Sequence, residues 1–369
     1  MKESGLLTLY IAVMILAAQP CWPETSLEGR NQVVLTGNVA SVSVDLAGGS
    51  IVDFHLVKQG LNPLFWNYPE KGDLKPRWMG HFVCFDRWGQ PSDQELKNGM
   101  PFHGEASQVE WKVLSQPKKT NNEISTVMLC ELPIGGMTLK RTMRLYENAP
   151  VLSVREEITN INKLGRVYNI VQHSSIAPPF LDEAVIVDCN AWKGYMQESP
   201  WPNPEEPVIY WPAIAYKEKL VDLRRLTDDY NPEVTSFVFA DSLTYGWVTA
   251  CNPGKGLMLG YIWNLSEYPW LDIWRYSVDG KPDTRGLEFG TTGHYKKPFG
   301  DLIAKGKIFG RPTFEYCDAG QTIVKSYVAF VSEIPAGYKG VEAITYTPQS
   351  IVIHELESQK TKDIIINLK

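Results

Sequence analysis

Alternation of apolar and polar residues is the dominant pattern along this chain. Residues 42–46 place an apolar side chain at every second position, which predicts a strand with one buried face. Gly48 and Gly49 follow as a turn, and residues 52–56 alternate again. Two alternating runs joined by a glycine turn predict a β-hairpin.

The same pattern recurs further along the chain. Residues 137–146 alternate, residues 147–150 form a turn, and Leu152, Val154 and Ile158 lie on a returning strand. Later predicted strands cover residues 323–331, 351–356 and 364–368. Beyond the N terminus, no long segment places apolar residues at helical spacing, so the chain is predicted to be rich in β-structure.

Two short helices are predicted, near Ser92–Asn98 and near Lys217–Arg225. In the first, Ser92 is followed three residues later by Glu95. This spacing is a capping box, in which the two side chains satisfy backbone amides at the start of a helix.

The segment Pro200–Pro212 is rich in proline and tryptophan. It is not a helix interior, because proline lacks the amide donor and clashes with the preceding turn. Long ordered loops of this kind are usually functional, so we expect Trp201 or Trp211 to lie near a binding cleft. Many strands and few helices favour an all-β fold, a single large antiparallel β-sandwich.

The N terminus has the features of a secretory signal peptide. Lys2 precedes an apolar run from Leu6 to Ala18, which is short for a membrane span. We therefore predict a signal peptide over residues 1–21 and one β-sandwich domain over residues 27–369. A lipid anchor on Cys21 is the less favoured alternative, because Gln19 and Pro20 depart from the small residues usual before a lipidated cysteine.

Composition narrows the choice of partners. The 369 residues include 36 Lys and Arg against 42 Asp and Glu, a formal net charge of −6. Phosphate binding needs clustered basic residues, so no nucleic-acid partner is expected. The cysteines after Cys21 are widely spread, which predicts free thiols and no zinc motif. They are Cys84, Cys130, Cys189, Cys251 and Cys317.

The chain has only six histidines, which makes their settings informative. They are His55, His81, His103, His173, His294 and His354. An imidazole titrates near neutral pH, so it can give or take a proton without strong tuning. A metal site formed by His81, His103, Glu288 and His294 is a minor alternative, but their spacing has no ligand motif, and no metal or cofactor is predicted.

Several short motifs occur in a characteristic order. They are Phe102–Ala106 (Phe-His-Gly-Glu-Ala), a strand ending at Thr159–Asn162, His173 ahead of Pro178-Pro179, Leu287–Gly290 (Leu-Glu-Phe-Gly) and the turn Gly320–Thr322. This order resembles the galactose mutarotase-like superfamily and, within it, the aldose 1-epimerases, over roughly Gln32–Val331. The resemblance implies a large antiparallel β-supersandwich with a sugar cleft across one concave sheet.

The resemblance also implies roles for individual residues. His173 matches the general acid that protonates the ring oxygen, and Glu288 matches the base that takes the anomeric hydroxyl proton. His103 matches the histidine that binds a hydroxyl near the ring oxygen. Arg87 matches the substrate-binding arginine, with Arg77 close by in sequence. Such an acid–base pair needs no metal or organic cofactor to open a hemiacetal.

The chain departs from the family pattern in three places. Asp86 replaces the asparagine that usually precedes the arginine, and His173 is followed by serines rather than by Pro-Tyr-Phe. The family's substrate-binding aspartate has only weak counterparts, Asp228 and Asp229. These departures leave the sugar, and the reaction on it, open.

Four further residues are substrate-binding candidates. His81 lies in the same segment as Arg87, and Trp88 and Trp274 have flat faces that stack on the C–H side of a pyranose; each tryptophan is equally compatible with the core. Arg275 follows Trp274 and could clamp an anionic group, or pair with a nearby aspartate on an exposed strand.

The sequence therefore predicts an aldose 1-epimerase-like isomerase acting on a monosaccharide or oligosaccharide. The alternatives are a polysaccharide lyase or glycoside hydrolase on the same fold, and a non-catalytic carbohydrate-binding protein. Retention of both His173 and Glu288 disfavours the last, because binding alone needs no acid–base pair. We expect a periplasmic or secreted protein with no membrane span after signal removal, as a monomer or weak dimer.

Overall fold

A computed structural model of the chain describes residues 27–226, 233–356 and 363–368. The predicted signal peptide, Cys21, Asp228 and Asp229 lie outside these ranges. Within the described residues, neither helix has the length and apolar character needed to cross a membrane.

A ten-stranded sheet forms one layer of the fold, and every named pair of neighbouring strands in it is antiparallel. In spatial order its strands are β1 (Gln32–Thr36), β2 (Ala40–Asp45), β3 (Ile51–Leu56), β4 (His81–Phe85), β10 (Ile170–Ile176), β20 (Lys281–Gly290), β19 (Trp270–Val278), β16 (Val234–Val238), β12 (Lys193–Met196) and β13 (Ile209–Tyr210).

An antiparallel eight-stranded sheet forms the second layer. Its strands, in spatial order, are β11 (Ile186–Cys189), β17 (Tyr245–Asn252), β18 (Leu257–Asn264), β24 (Thr322–Glu333), β8 (Val151–Asn160), β7 (Met137–Tyr146), β6 (Glu123–Leu132) and β5 (Lys112–Thr120).

Smaller elements complete the described fold. They are the pairs β14 (Ala213–Tyr216) with β15 (Lys219–Asp222), β21 (Lys307–Ile308) with β22 (Arg311–Pro312), and β9 (Arg166–Tyr168) with β23 (Glu315–Cys317), the three-stranded sheet β25 (Val341–Tyr346), β26 (Ser350–Glu355) and β27 (Ile364–Asn367), and the helices α1 (Asp93–Lys97) and α2 (Phe299–Lys305).

The main core lies between the two large sheets, because alternation turns every second side chain of each strand inward. Leu287 and Phe289 of β20 join this core from one side, and Leu139 of β7 and Leu259 of β18 join it from the other. The ten-stranded sheet therefore has an inner face, packed on the eight-stranded sheet, and an outer face that carries other side chains.

The C-terminal three-stranded sheet covers the far side of the eight-stranded sheet. Ile351, Ile353 and Ile366 pack against Met258 and Phe330, in a cluster separate from the main core. The eight-stranded sheet is thus buried on both faces in this region, while the outer face of the ten-stranded sheet does not take part in this packing.

A buried polar network crosses the interior of the sandwich. Arg141 pairs with Glu156 at 2.8 Å, and Glu156 accepts from the Gln172 amide at 2.7 Å. The Gln172 carbonyl lies 3.1 Å from Nε2 of His81. Because the Gln172 amide nitrogen also donates to Tyr268, its oxygen is the acceptor, and His81 carries its proton on Nε2.

The structure confirms the all-β fold, the hairpin of β2 and β3, and the strands predicted after residue 137. Helix α1 is confirmed with its Ser92–Glu95 capping box. The helix predicted over Lys217–Arg225 is wrong: Lys217 and Glu218 have positive φ and form the turn between β14 and β15. The five described cysteines are free thiols, as expected.

Candidate functional site

Strand β4 shows how alternation builds the site. His81, Val83 and Phe85 point to the inner face, where Val83 and Phe85 join the main core. Phe82 and Cys84 point to the outer face and belong to a different cluster. His81 therefore lies in the interior of the sandwich, although its sequence neighbour Phe82 lies on the face that carries the site.

A single row of side chains crosses the outer face of the ten-stranded sheet. Cross-strand pairing aligns Tyr195 with Ser236, Ser236 with Asp272, and Asp272 with Glu288. His173 takes the next place, between the pairs Gln172–Phe289 and Ser175–Gly286, and it is paired with Phe82. We call Tyr195, Ser236, Asp272, Glu288, His173 and Phe82 the site row.

His173 is held on both sides by its neighbours. Its Nδ1 lies 3.0 Å from the Ser175 hydroxyl, two residues along the same face of β10. Its ring stacks on Phe82 with centroids 4.3 Å apart and meets Trp274 edge-on at 5.6 Å. These contacts fix the ring plane and direct Nε2 toward β20.

Glu288 lies directly beside His173, with Oε1 3.3 Å from Nε2 of the imidazole. Its other oxygen, Oε2, accepts from the indole Nε1–H of Trp88 at 2.6 Å. Gly286 leaves room for this carboxyl, because a Cβ there would come within 2.5 Å of Oε1. The fold thus brings Trp88 and His173, both far from Glu288 in sequence, into contact with its carboxyl.

Burial dominates the electrostatics of this pair. It raises the pKa of Glu288 well above its ordinary value, with Asp272 adding to the rise and Trp88 opposing it. It lowers the pKa of His173 well below its ordinary value, with His103 and His81 adding to the fall. Both directions favour the uncharged forms, so the resting pair is a protonated Glu288 beside a neutral His173.

His103 approaches the pair from a loop. Its ring centroid is 5.0 Å from that of His173, nearly perpendicular to it. Its Nδ1 accepts from the Gly89 amide at 3.2 Å, which leaves the proton on Nε2. Burial, followed by the charge of Arg87, lowers the pKa of His103 to about 3, so it is a neutral hydrogen-bond donor.

The backbone around His103 is tightly constrained. His103 itself has a φ of 63°, in the left-handed region that few residues adopt. Gly104 follows against Phe85, where a Cβ would lie only 1.8 Å from the Phe85 carbonyl oxygen. The His-Gly dipeptide is therefore required by the close approach of this loop to β4.

Arg87 connects two of the loops that border the site. Its guanidinium donates to the carbonyls of Gln90, Lys297 and Tyr295 at 2.5–3.1 Å. The side chain is 3% exposed. Arg87 thus ties the loop after β20 to the loop after β4; these hydrogen bonds are to the protein backbone, and Glu95 lies 3.9 Å from its Nε.

Two predicted substrate-binding residues lie away from the cluster. His81 is in the inner network, and burial lowers its pKa to about 3. Arg275 faces Arg285 across the strand pair, on the side opposite to Trp274, and donates to the Arg225 carbonyl. Strand alternation explains both placements, because each residue is adjacent in sequence to a side chain on the outer face.

The proline-rich loop lies at the other end of the outer face. Trp201 meets His294 edge-on at 5.3 Å, and Trp211 packs into the main core against Phe237. The described ring contacts of His173 include neither tryptophan, so the approach of this loop to a substrate stays a prediction. No group of three or more potential metal ligands occurs in the described ranges.

Sequence reasoning missed several residues that build the site. Ser175 orients His173, Gly286 makes room for Glu288, and Asp272 lies opposite Glu288. Alternation offered a signal for Asp272, since Trp270, Asp272 and Trp274 fall on one face of a strand. The pairing with Glu288 required the three-dimensional register.

Comparisons with known proteins agree with this architecture. The chain matches no protein-family model and no curated protein sequence. A galactose mutarotase-like protein from Clostridium acetobutylicum superposes with a TM-score of 0.62 at 15% identity, covering 83% of this chain and 96% of the other. One from Lactobacillus casei gives a TM-score of 0.57 at 13% identity, covering 82% and 100%.

A galactose mutarotase related enzyme from Lactobacillus acidophilus is also similar, with a TM-score of 0.59 at 11% identity over 83% of this chain and 98% of that one. The protein therefore has the galactose mutarotase-like fold. The identities are low, so these similarities establish the fold, and the chemistry is argued from the site.

Proposed function

We propose that this protein is a sugar 1-epimerase that interconverts the anomers of an aldose. The observation that carries the proposal is the contact between His173 and Glu288, at 3.3 Å on the outer face of the sheet. An imidazole and a carboxyl side by side can take one proton and deliver another in the same step.

The reaction follows from the geometry of a hemiacetal. The anomeric hydroxyl and the ring oxygen are bonded to the same carbon, so a bound sugar can present O1 to Glu288 and the ring oxygen to His173 at the same time. Glu288, as carboxylate, takes the O1 proton while His173, as imidazolium, gives a proton to the ring oxygen. The C1–ring oxygen bond breaks and C1 becomes an aldehyde.

The resting protonation state supplies what this step needs. In the resting pair Glu288 carries the proton, and moving that proton to the imidazole creates the acid and the base together. Rotation about C1–C2 and reversal of the transfers close the ring with the opposite anomeric configuration. Each positioned proton transfer contributes about 10²–10⁴-fold to the rate.

The surrounding side chains suit a sugar. Trp274 and Trp66 meet the His173–Phe82 stack and provide apolar ring surface next to the acid–base pair. Neutral His103 provides an Nε2–H donor. An apolar surface with a few fixed polar groups is typical of small-molecule sites.

Exchange spectroscopy by NMR on a panel of common aldoses tests the proposal. We expect cross-peaks between α and β anomers that grow with protein concentration for at least one sugar. Binding without exchange would instead support a carbohydrate-binding protein. Cleavage of an oligosaccharide or uronate polymer would support a hydrolase or lyase.

We also propose that the protein is exported to the periplasm or secreted, on the basis of Lys2 and the apolar run Leu6–Ala18. N-terminal sequencing of protein purified from its native host tests this. A mature chain beginning shortly after residue 21 is expected, and an intact N terminus would contradict it.

A further inference from the structure

Asp272 is a buried carboxyl at the centre of the site row. It is 0% exposed. Neither carboxyl oxygen meets a described donor with hydrogen-bonding geometry. A buried carboxylate without strong partners is costly, whereas its protonated form is much less so.

Glu288 lies directly opposite Asp272 across β19 and β20. Directly paired residues on antiparallel strands have Cβ atoms about 4.5–5.5 Å apart, and like charges there repel each other. Glu288 is 1% exposed, so little solvent screens the two carboxyls. Two such carboxyls do not ionise together; one retains its proton.

The groups around Asp272 compensate a negative charge only in small part. Ser236 faces it from β16, and its hydroxyl oxygen accepts from the Gln197 amide. Tyr195 lies beyond Ser236, and burial, followed by the charge of Asp272, raises the pKa of Tyr195 well above its ordinary value. On its own strand the flanking outer-face residues are Trp270 and Trp274, which are uncharged.

His173 lies on the far side of Glu288, so the titratable groups facing Asp272 among the described residues are Glu288, Tyr195 and, one strand further, His173. Burial raises the pKa of Asp272 well above its ordinary value, and the Ser236 hydroxyl lowers it again in part. No described lysine or arginine contributes to lowering the pKa of Asp272.

We propose that Asp272 and Glu288 act as one carboxyl pair, in which Asp272 holds a proton and thereby leaves Glu288 free to act as the base. The role in catalysis rests on the proposed function, and Asp272 is a positioning residue that acts through Glu288. The site row then holds two titrating protons, one on Asp272 and one carried by the pair of Glu288 and His173.

This arrangement keeps the acid–base step electrically balanced. Glu288 gains the O1 proton as His173 loses one to the ring oxygen, and the proton on Asp272 stays in place. Loss of the Asp272 proton at high pH would place a second negative charge beside Glu288 and oppose its ionisation. Asp272 thus limits activity on the alkaline side.

Infrared spectroscopy tests the protonation directly and needs no substrate. A protonated carboxyl has a carbonyl stretch that an ionised one lacks. In wild-type protein at neutral pH we expect this band to move when aspartate is labelled with ¹³C at its carboxyl, without any substitution. Asp86 is the matched control: burial raises its pKa to about 7 beside Arg166, so the Asp86→Asn variant removes its contribution.

Variants then assign the proton within the pair. The labelled band should persist in Asp86→Asn and in Glu288→Gln and be absent from the double variant Asp86→Asn/Asp272→Asn. A band that does not respond to aspartate labelling in Asp86→Asn, or a labelled band that survives in the double variant Asp86→Asn/Asp272→Asn, would overturn the proposal whatever the activity.

The pH profile tests the coupling to the reaction. With two inactivating deprotonations, the alkaline limb of the anomer-exchange rate should fall about a hundredfold per pH unit in wild type and about tenfold in Asp272→Asn. Equal slopes would contradict the role of Asp272. Absence of exchange in wild type together with the aspartate band would contradict the proposed function and leave the protonated carboxyl established.

Discussion

The indole N–H of Trp88 donates to Oε2 of Glu288 at 2.6 Å, while Oε1 of the same carboxyl contacts His173. Trp88 is 4% exposed and was a candidate for stacking on a sugar. Its described polar contact is instead with the proposed base. The hydrogen bond favours the ionised carboxyl and partly opposes the effect of burial on the pKa of Glu288.

Trp88→Phe keeps an aromatic ring and removes the donor. The pKa of Glu288 should rise further, so the acidic limb of the pH–rate profile should move to higher pH. A charged-group hydrogen bond contributes about 1.5–3 kcal/mol, which corresponds to a shift of about one to two pH units. Anomer exchange measured across pH checks this, and an unchanged acidic limb would show that Trp88 does not tune the base.

His173→Asn should reduce exchange by about 10²-fold or more, because it removes the acid that protonates the ring oxygen. The double variant His173→Asn/Glu288→Gln should lose less than the product of the single losses, because both groups act in one step. Rates of all three variants on one aldose test this. Fully multiplicative losses would mean that the residues act independently.

Gly286→Ala should displace the Glu288 carboxyl. The added Cβ would lie 2.5 Å from Oε1 and 2.8 Å from Cβ of Trp274. A misplacement of about 1 Å can cost about 10²-fold in rate, so exchange should fall strongly. Gly300→Ala is the control, since a Cβ there meets nothing within 4 Å. Equal rates in the two variants would contradict the requirement for space beside Glu288.

His81 predicts a loss of stability in acid. Its folded-state pKa is about 3 against an ordinary value of 6.5, so the unfolded chain binds the proton more tightly. The stability is present above pH 6.5 and is lost as pH falls toward 3. At pH 4 the loss from this residue is about 3 kcal/mol, from 1.36 kcal/mol per pH unit below 6.5.

His81→Gln removes this titration, so the difference in unfolding free energy between wild type and variant should narrow from pH 7 to pH 4. Urea unfolding at several pH values measures it. His354→Gln is the comparison, because His354 lies half-buried beside Asp363 on the C-terminal sheet. A difference that stays constant with pH would contradict the buried, neutral state of His81.

The fold was largely predictable because apolar and polar residues alternate along many of the strands. Residues 137–146 and the return to Leu152 correspond to β7 and β8, whose inner residues are the apolar ones. The helix predicted over Lys217–Arg225 is wrong. The charged residues of this segment have good helix propensity, but Lys217 and Glu218 form a tight turn between two strands.

The site was predictable only in part. Motif order selected His103, His173 and Glu288, and the structure brings these three together. His81 and Arg275 were candidates because they lie next to site segments in sequence. Neighbouring residues of a strand point to opposite faces of the sheet, so both side chains face away from the site. The contact of Asp272 with this group depends on the register of β19 against β20, and a single strand sequence does not specify register.

The central claim is that Glu288 is the base of an anomer-exchanging site. NMR exchange rates of wild type and Glu288→Gln, on the aldose that wild type turns over fastest, test it most directly once circular dichroism shows that both are folded. We expect exchange by the variant to fall about a hundredfold or more, because glutamine has a similar shape but takes no proton. Wild-type activity in folded Glu288→Gln would contradict the claim.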